Sequence, residues 1–101
     1  MGLKDFEGAV EDFSKAIEIN KKLLDAYNNR GLARYELKDY SGAIDDFTSA
    51  IEIDPKSSMA YSNRGIVRIK TGQKDSACSD LSRAIKLGNV YAQDAKKKYC
   101  E

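Results

Sequence analysis

A chain of 101 residues has room for one domain with one modest hydrophobic core. Its 17 basic and 16 acidic side chains give a net charge of +1, which provides no overall field to attract nucleic acid or an anionic membrane. Hydrophobic residues make up 42% of the chain, too many for intrinsic disorder, and histidine, the commonest general base, is absent.

The amino-terminal segment has scattered acidic residues and lacks the basic start and unbroken apolar run of a secretory signal. No segment of the sequence approaches the roughly 18 consecutive apolar residues of a membrane span. Phe6, Ala9, Val10 and Phe13 instead recur at helical spacing. This spacing predicts an amphipathic helix over residues 5–19.

The same pattern returns 34 residues later, since Leu3 and Leu37 begin matching segments. The segment LKDFEGAVEDFSKAIEI, residues 3–19, aligns with LKDYSGAIDDFTSAIEI, and TGQKDSACSDLSRAIKL is a weaker third copy. A second alignment in the same register matches AYNNRGLAR, residues 26–34, with AYSNRGIVR, residues 60–68. Apolar and small residues at helical spacing predict a pair of helices in each repeat.

Turn and capping residues separate the predicted helices. Asp5 and Asp39 precede the aromatic residue that opens a second helix, where a carboxylate can accept bonds from unpaired amide groups. Pro55 marks the turn into the next pair. Gly72 and Gly88 stand where the helices of the last pair should end, which predicts a left-handed terminating residue at each.

Together these residues resemble the tetratricopeptide repeat, whose pattern is W-x2-L-G-x2-Y, then A-x3-F, then P, over 34 residues. In the middle copy Tyr27, Gly31, Ala43, Phe47 and Pro55 match this pattern. The resemblance implies an all-α fold, a right-handed α-solenoid of antiparallel helix pairs.

The resemblance divides the single domain, residues 1–101, into four parts. Residues 1–23 would hold the second helix of a truncated first repeat, 24–57 and 58–89 two full repeats, and 90–101 a capping helix. The first helix then shows an apolar face without a partner helix. We expect either that the chain is cut from a longer array or that a second copy covers this face.

Arginine replaces the family's leucine and second aromatic residue in both full repeats, and each second helix has an aspartate at a matching position. Buried charges need partners, so this recurrence predicts an interhelical ion-pair ladder, with an anion-binding site as the alternative. The ladder residues are Arg30, Arg34, Arg64, Arg68, Asp12, Asp46 and Asp80.

In this family the concave surface, lined by the first helix of each repeat, commonly receives a peptide or another protein's tail. The resemblance therefore implies a peptide-binding groove, and an ordinary solvated helix surface is the alternative. Side chains offset from the core face of these helices are the candidates. They are Asp25, Asn28, Asn29, Leu32, Tyr35, Met59, Ser62, Asn63 and Ile66.

Some family members bind the carboxyl-terminal acid of chaperones through lysine, asparagine and arginine residues on this surface. Asn63 resembles one member of that set, but Asn28 and Leu32 stand where lysine and asparagine are needed. In the other register, Met59 and Asn63 replace the lysine and the arginine. We therefore do not expect a chaperone-tail clamp, because a carboxylate would meet few fixed cations.

The two cysteines, Cys78 and Cys100, are too few for a disulfide scaffold and have no histidine with which to bind a metal. Cys78 is expected either to pack as a small core residue or to form a disulfide with Cys100 in the capping helix. The compartment is unknown from the sequence. A cytoplasmic location is favoured, and an exported one is open if a signal was lost from a longer chain.

We interpret the chain as a non-catalytic interaction module that binds a peptide or protein segment in the concave groove. The alternative is a structural unit that forms homo-oligomers through the first helix and the array ends. No nucleophile with its base and no cleft with paired carboxylates can be located, so an enzyme is not expected. No cofactor, metal, nucleic acid or membrane partner is predicted.

Overall fold

The computed structural model describes residues 3–100, so residues 1, 2 and 101 of the predicted domain lie outside the described part. This part contains helices and turns and no strand. None of its helices is long and apolar enough to cross a bilayer. The helices are α1 (Leu3–Ile19), α2 (Leu24–Glu36), α3 (Tyr40–Ile53), α4 (Ser58–Lys70), α5 (Lys74–Lys86) and α6 (Tyr91–Cys100).

Each helix packs against the next one in the chain, and α4 also contacts α2 and α6. Short turns join neighbouring helices, so the chain forms antiparallel pairs, α2 with α3 and α4 with α5. The first helices of successive pairs therefore lie side by side, with α6 following α4 in the same row. This confirms the predicted all-α solenoid.

The core consists of one small cluster per pair, built from large side chains that fit against small ones. Phe47 and Leu81 are fully buried, and each contributes about 1.5–3 kcal/mol of hydrophobic stabilisation. A Cβ atom at Gly31 would lie 2.7 Å from Cε1 of Phe47, and one at Gly65 would lie 3.1 Å from Cδ2 of Leu81. The two glycines therefore let the paired helices approach closely.

Three of the predicted capping and terminating residues set a helix end. The Asp39 carboxylate accepts a hydrogen bond from the Gly42 amide at 3.0 Å, as an N-cap residue should. Gly72 and Gly88 follow their helices with φ values of 78° and 98°, which confirms the predicted left-handed terminators. Asp5 is a correction: α1 begins at Leu3, so this residue lies in the first helical turn and does not precede it.

A disulfide joins α5 to α6. Cys78 and Cys100 have Cα atoms 6.0 Å apart and bonded sulfur atoms. The sequence left two alternatives open for Cys78, packing as a small core residue or a disulfide with Cys100. The structure contains the disulfide. Ala92 of α6 is fully buried beside Leu81 and Ala84, so packing and the covalent bond hold this helix in place together.

Candidate functional site

Asp46 of α3 is at the centre of a buried ion-pair cluster and is only 2% exposed. Arg30 donates to its Oδ1 from Nη2 at 2.7 Å, and Arg34 donates to its Oδ2 from Nη1 at 3.1 Å. Arg30 also donates from Nη1 to the Ser14 hydroxyl of α1 at 3.1 Å, so one guanidinium bridges three helices. Hydrogen bonding to Asp46 raises the pKa of Arg30 above its ordinary value, against the opposing effect of burial.

Asp80 of α5 repeats this arrangement and is 4% exposed. Arg64 donates from Nη2 to its Oδ1 and Arg68 from Nη1 to its Oδ2, both at 2.8 Å. Arg64 also donates from Nη1 to the Thr48 hydroxyl on the preceding second helix, at 3.3 Å. The carboxylates thus engage all four arginines, and the Nε atom of Arg68 is buried without a hydrogen-bond partner.

Asp12, which the sequence placed in the same ladder, is exposed and forms no ion pair with any described residue. The prediction is wrong at this position for a geometric reason. In both clusters the arginines precede the aspartate by 16 and 12 residues, on the first helix of its own pair. The described residues hold no first helix before α1 that could supply such arginines to Asp12.

The row of first helices carries two adjoining clefts, which together we call the groove. The α2–α4 cleft is small, with a volume of about 70 Å³. The α4–α6 cleft is larger, at about 400 Å³, and includes the turn between α5 and α6. Asn63 lines both clefts and joins them. The first cleft is lined by Leu32, Tyr35, Phe47, Asn63, Ile66 and Val67, and the second by Ser58, Met59, Ser62, Asn63, Gly88, Asn89, Val90 and Tyr91.

The lining of the groove is uncharged, because no acidic or basic side chain lines either cleft. Its polar groups are amides and hydroxyls, and two amide atoms in this row of helices are buried without a hydrogen-bond partner, Nδ2 of Asn63 and Oδ1 of Asn28. Unpaired buried polar atoms are costly, which makes the Asn63 amide a candidate for bonding to a ligand. No group of three or more side chains suited to a metal ion occurs in the described residues.

The nine residues predicted for the groove divide into four groups. Six line the two clefts, and they are Leu32, Tyr35, Met59, Ser62, Asn63 and Ile66. Asn29 is exposed but lines a different cleft, between α1 and α2. Asp25 is exposed and lines none of the clefts described here. Asn28 is only 4% exposed, so it belongs to the packed interior of α2 and not to the accessible surface.

The sequence prediction missed Val90 and Tyr91, which are 63% and 82% exposed beside Met59. The sequence analysis assigned them to the capping helix, residues 90–101. The signal was present, since two large apolar residues directly follow the turn at Gly88 and Asn89. Their exposure follows from their position at the start of α6, where one end of the row of first helices meets solvent.

A third cleft, of about 430 Å³, lies between α1 and α2. We call it the α1–α2 cleft, and its apolar lining comes mainly from Phe6, Ala9, Phe13 and Leu32. Leu32 also lines the α2–α4 cleft, so the α1–α2 cleft adjoins the groove. Unlike the groove, it has acidic residues in its lining, Glu36 among them.

Comparisons with known proteins agree with this architecture. Sequence models described as tetratricopeptide repeat match residues 24–57 and 47–79, and one described as TPR repeat matches residues 3–38. A comparison with curated proteins finds no match. The Arabidopsis OM64 TPR domain is 33% identical with a TM-score of 0.91, and the match covers 95% of this chain and 81% of that one.

Two further solved structures contain bound peptides. The second TPR domain of human RPAP3, in complex with the HSP70 peptide SGPTIEEVD, is 28% identical with a TM-score of 0.89, over 95% of this chain and 82% of that one. The second TPR of Spaghetti (RPAP3), bound to the HSP90 peptide SRMEEVD, is 28% identical with a TM-score of 0.79, over 81% and 76%. The predicted family is confirmed, and the chain belongs to the tetratricopeptide repeat family.

Proposed function

We propose that this chain is a non-catalytic interaction module that binds a peptide or protein segment in the groove formed by α2, α4 and α6. The observation that carries the proposal is the continuous uncharged groove, whose two clefts meet at the unpaired Asn63 amide. Backbone groups of an extended peptide would bond to that amide, while its side chains enter the clefts. Peptide complexes of two structural neighbours support this use of the fold.

The uncharged lining favours a ligand with apolar side chains and no charged anchor. Both peptides bound by the neighbours end in the residues EEVD. In this chain Asn28 is buried, and Leu32 and Met59 contribute apolar surface where the family's clamp has polar or cationic groups. An acidic peptide terminus would lose its hydration here without gaining a cationic partner. An internal, neutral peptide segment therefore suits the groove better.

Selection from a phage-displayed peptide library, followed by fluorescence anisotropy, tests the proposal. The best selected peptide should lose more than about tenfold in affinity when Asn63→Ala and Met59→Ala are combined, because hot-spot contacts dominate binding. Asn20→Ala, an exposed substitution in the turn after α1, is the matched control and should leave affinity unchanged. Unaltered affinity in the groove variant would remove the groove as the binding site.

The peptide SGPTIEEVD serves as a test of the ligand chemistry. We expect it to bind more weakly than an amidated version in which both glutamates are replaced by glutamine and the aspartate by asparagine. The reverse order of affinities would contradict the preference for a neutral segment. Homo-oligomer formation, the alternative inferred from the sequence, has no support in the comparisons and is not part of this proposal.

A further inference from the structure

The tyrosine near the start of α2 differs from its counterpart in α4 in the arginines that contact its ring. Tyr61 of α4 lies near two guanidinium groups, and the Cζ atoms of Arg64 and Arg83 are 5.6 Å and 6.0 Å from the centre of its ring. Tyr27 has one such contact among the described residues, with Arg30 at 5.6 Å. Because a guanidinium over an aromatic ring is attracted to it, the Tyr27 ring can accept a second cation.

The missing contact follows from the residue at one repeat position of the second helix. Ser49 of α3 stands 34 residues before Arg83 of α5, at the same place in the repeat. Its short side chain leaves open a cleft of about 400 Å³ beside Tyr27, which we call the Tyr27 cleft. By the repeat symmetry, this cleft corresponds to the place of the Arg83 side chain. It is lined by Lys21, Lys22, Tyr27, Ser49, Glu52 and Ile53.

The acidic residue of the Tyr27 cleft makes it more favourable for a cation than its counterpart one repeat later. Glu52 lines the cleft, whereas Lys86 holds the same repeat position in α5. Glu52 is exposed and forms no ion pair with another described residue. Arg83 contacts its tyrosine even though a lysine holds that position in its own repeat. A carboxylate at the same position therefore adds an attraction for a positive charge.

The two lysines of the Tyr27 cleft lie on the turn between α1 and α2. Both are exposed, so water and salt screen their charges. Lys56 holds the position of Lys22 in the next repeat, and Arg83 contacts its tyrosine there nevertheless. The lysines are thus compatible with a guanidinium, and they favour an acidic residue beside it in the ligand. An anion alone fits less well, because it would also meet Glu52.

We propose that the Tyr27 cleft binds an arginine side chain of a partner protein, next to an acidic residue of the same partner segment. The guanidinium stacks on the Tyr27 ring and pairs with the Glu52 carboxylate, while the acidic residue faces Lys21 and Lys22. Arginine suits the site better than lysine, because its planar group stacks on aromatic rings and is less strongly hydrated. The cleft shares no lining residue with the groove, so this site is independent of the proposed groove function.

An NMR titration of the full chain tests the arginine site. The probe is the acetylated and amidated peptide Gly-Gly-Arg-Glu-Gly. Amide shifts should change around Tyr27 and Ser49 and saturate, with a Kd on the order of 10 mM for so small a ligand. A peptide with citrulline, which keeps the shape of arginine without its charge, should bind at least about fivefold more weakly.

Two variants test the residues of the cleft. Ser49→Arg should abolish binding without lowering the melting temperature, because the new side chain would itself stack on Tyr27. Glu52→Gln should weaken binding at least about threefold, since the carboxylate charge is lost. Asp45→Asn removes an exposed carboxylate of the same helix outside the cleft. This matched control should leave the affinity unchanged.

Four results would overturn the arginine site, and none of them bears on the groove. The first is the absence of saturable shifts around Tyr27 up to about 50 mM peptide. The second is equal affinity for the arginine and citrulline peptides. The third is unchanged binding by the Ser49→Arg protein. The fourth is a response of the same amides to inorganic phosphate at lower concentration than to the peptide, since that would assign the cleft to an anion held by the lysines.

Discussion

Gly31 is a tightly constrained small residue, because the Phe47 ring fills the space beside it. A methyl group at this position would lie 2.7 Å from Cε1 of the ring, which is inside van der Waals contact. We expect Gly31→Ala to destabilise the protein by about 1–2 kcal/mol, since overpacking outweighs the gain in helix propensity. Urea unfolding followed by circular dichroism measures the change.

Two further variants separate the steric effect from backbone effects. Gly8→Ala in α1 has no atom within 4 Å of the added Cβ, so it should stabilise the protein by about 0.5–1 kcal/mol. Phe47→Leu should recover part of the loss in Gly31→Ala, because Leu81 already pairs with Gly65 at a longer distance of 3.1 Å. A stabilised Gly31→Ala protein would contradict the close approach of α2 and α3.

Asp46 holds two arginine charges in a partly buried setting, so its removal has a larger effect than that of a surface carboxylate. Asp46→Ala should lower the free energy of unfolding by about 3 kcal/mol, because Arg30 and Arg34 lose their shared partner. The neighbouring Asp45 is exposed, and Asp45→Ala should change stability by less than about 0.5 kcal/mol. Equal melting curves for the two variants would count against the ladder as a stabilising element.

Arg30 keeps its charge within the ordinary pH range, so its ionisation does not limit the stabilisation that its ion pair with Asp46 provides. Its pKa is raised above its ordinary value by the hydrogen bond to Asp46. A raised folded-state pKa means that the stabilisation is fully present below the unfolded-state value and is lost only as the pH rises through the folded-state value. The arginine side of the ion pair therefore remains charged throughout the neutral range.

The register of these ion pairs was predictable from the sequence, but the state of Asp12 was not. A 34-residue period fixes which arginine faces which aspartate, because identical residues at identical repeat positions meet identical neighbours. Asp12 has the same local sequence as Asp46 and a different environment. Its exposure depends on whether a helix packs on the far side of α1, and that is a property of the assembled fold.

A helix end was predictable where a particular residue type caps the helix or favours the left-handed backbone conformation that ends it. Asp39, Gly72 and Gly88 each terminate or cap a helix as their chemistry indicates. Lys38 adopts a φ of 63° at the end of α2, at the position that Gly72 holds one repeat later. A lysine gives no signal for a left-handed conformation, so only the comparison of repeats could have indicated it.

Helix α6 depends on its covalent bond to α5, because it has one fully buried residue, Ala92. The Cys78–Cys100 disulfide closes a sequence separation of 22 residues. Replacing both cysteines by serine should cost about 3 kcal/mol, through the loop entropy regained by the unfolded chain. Hydrogen exchange should show the loss of protection concentrated in α6. Unchanged protection of α6 in the double variant would show that packing alone holds the helix.

The clefts are properties of the whole solenoid, and this explains why the sequence identified the groove residues only in part. Leu32, Asn63 and Ile66 were found because they share the solvent side of their helices. Val90 and Tyr91 enter the same surface through the turn after α5, which no helical periodicity describes. The burial of Asn28 depends likewise on how tightly its neighbours pack around α2.

A solenoid has only neighbour contacts, so its stability should vary along its length. Among the described helices, α2 to α5 each pack on at least two others, whereas α1 packs on one and keeps an accessible apolar face. We expect amide hydrogen exchange to be fastest in α1, slowest in α3 and α4, and intermediate in the disulfide-linked α6. Uniform exchange along the chain would contradict this account of the fold.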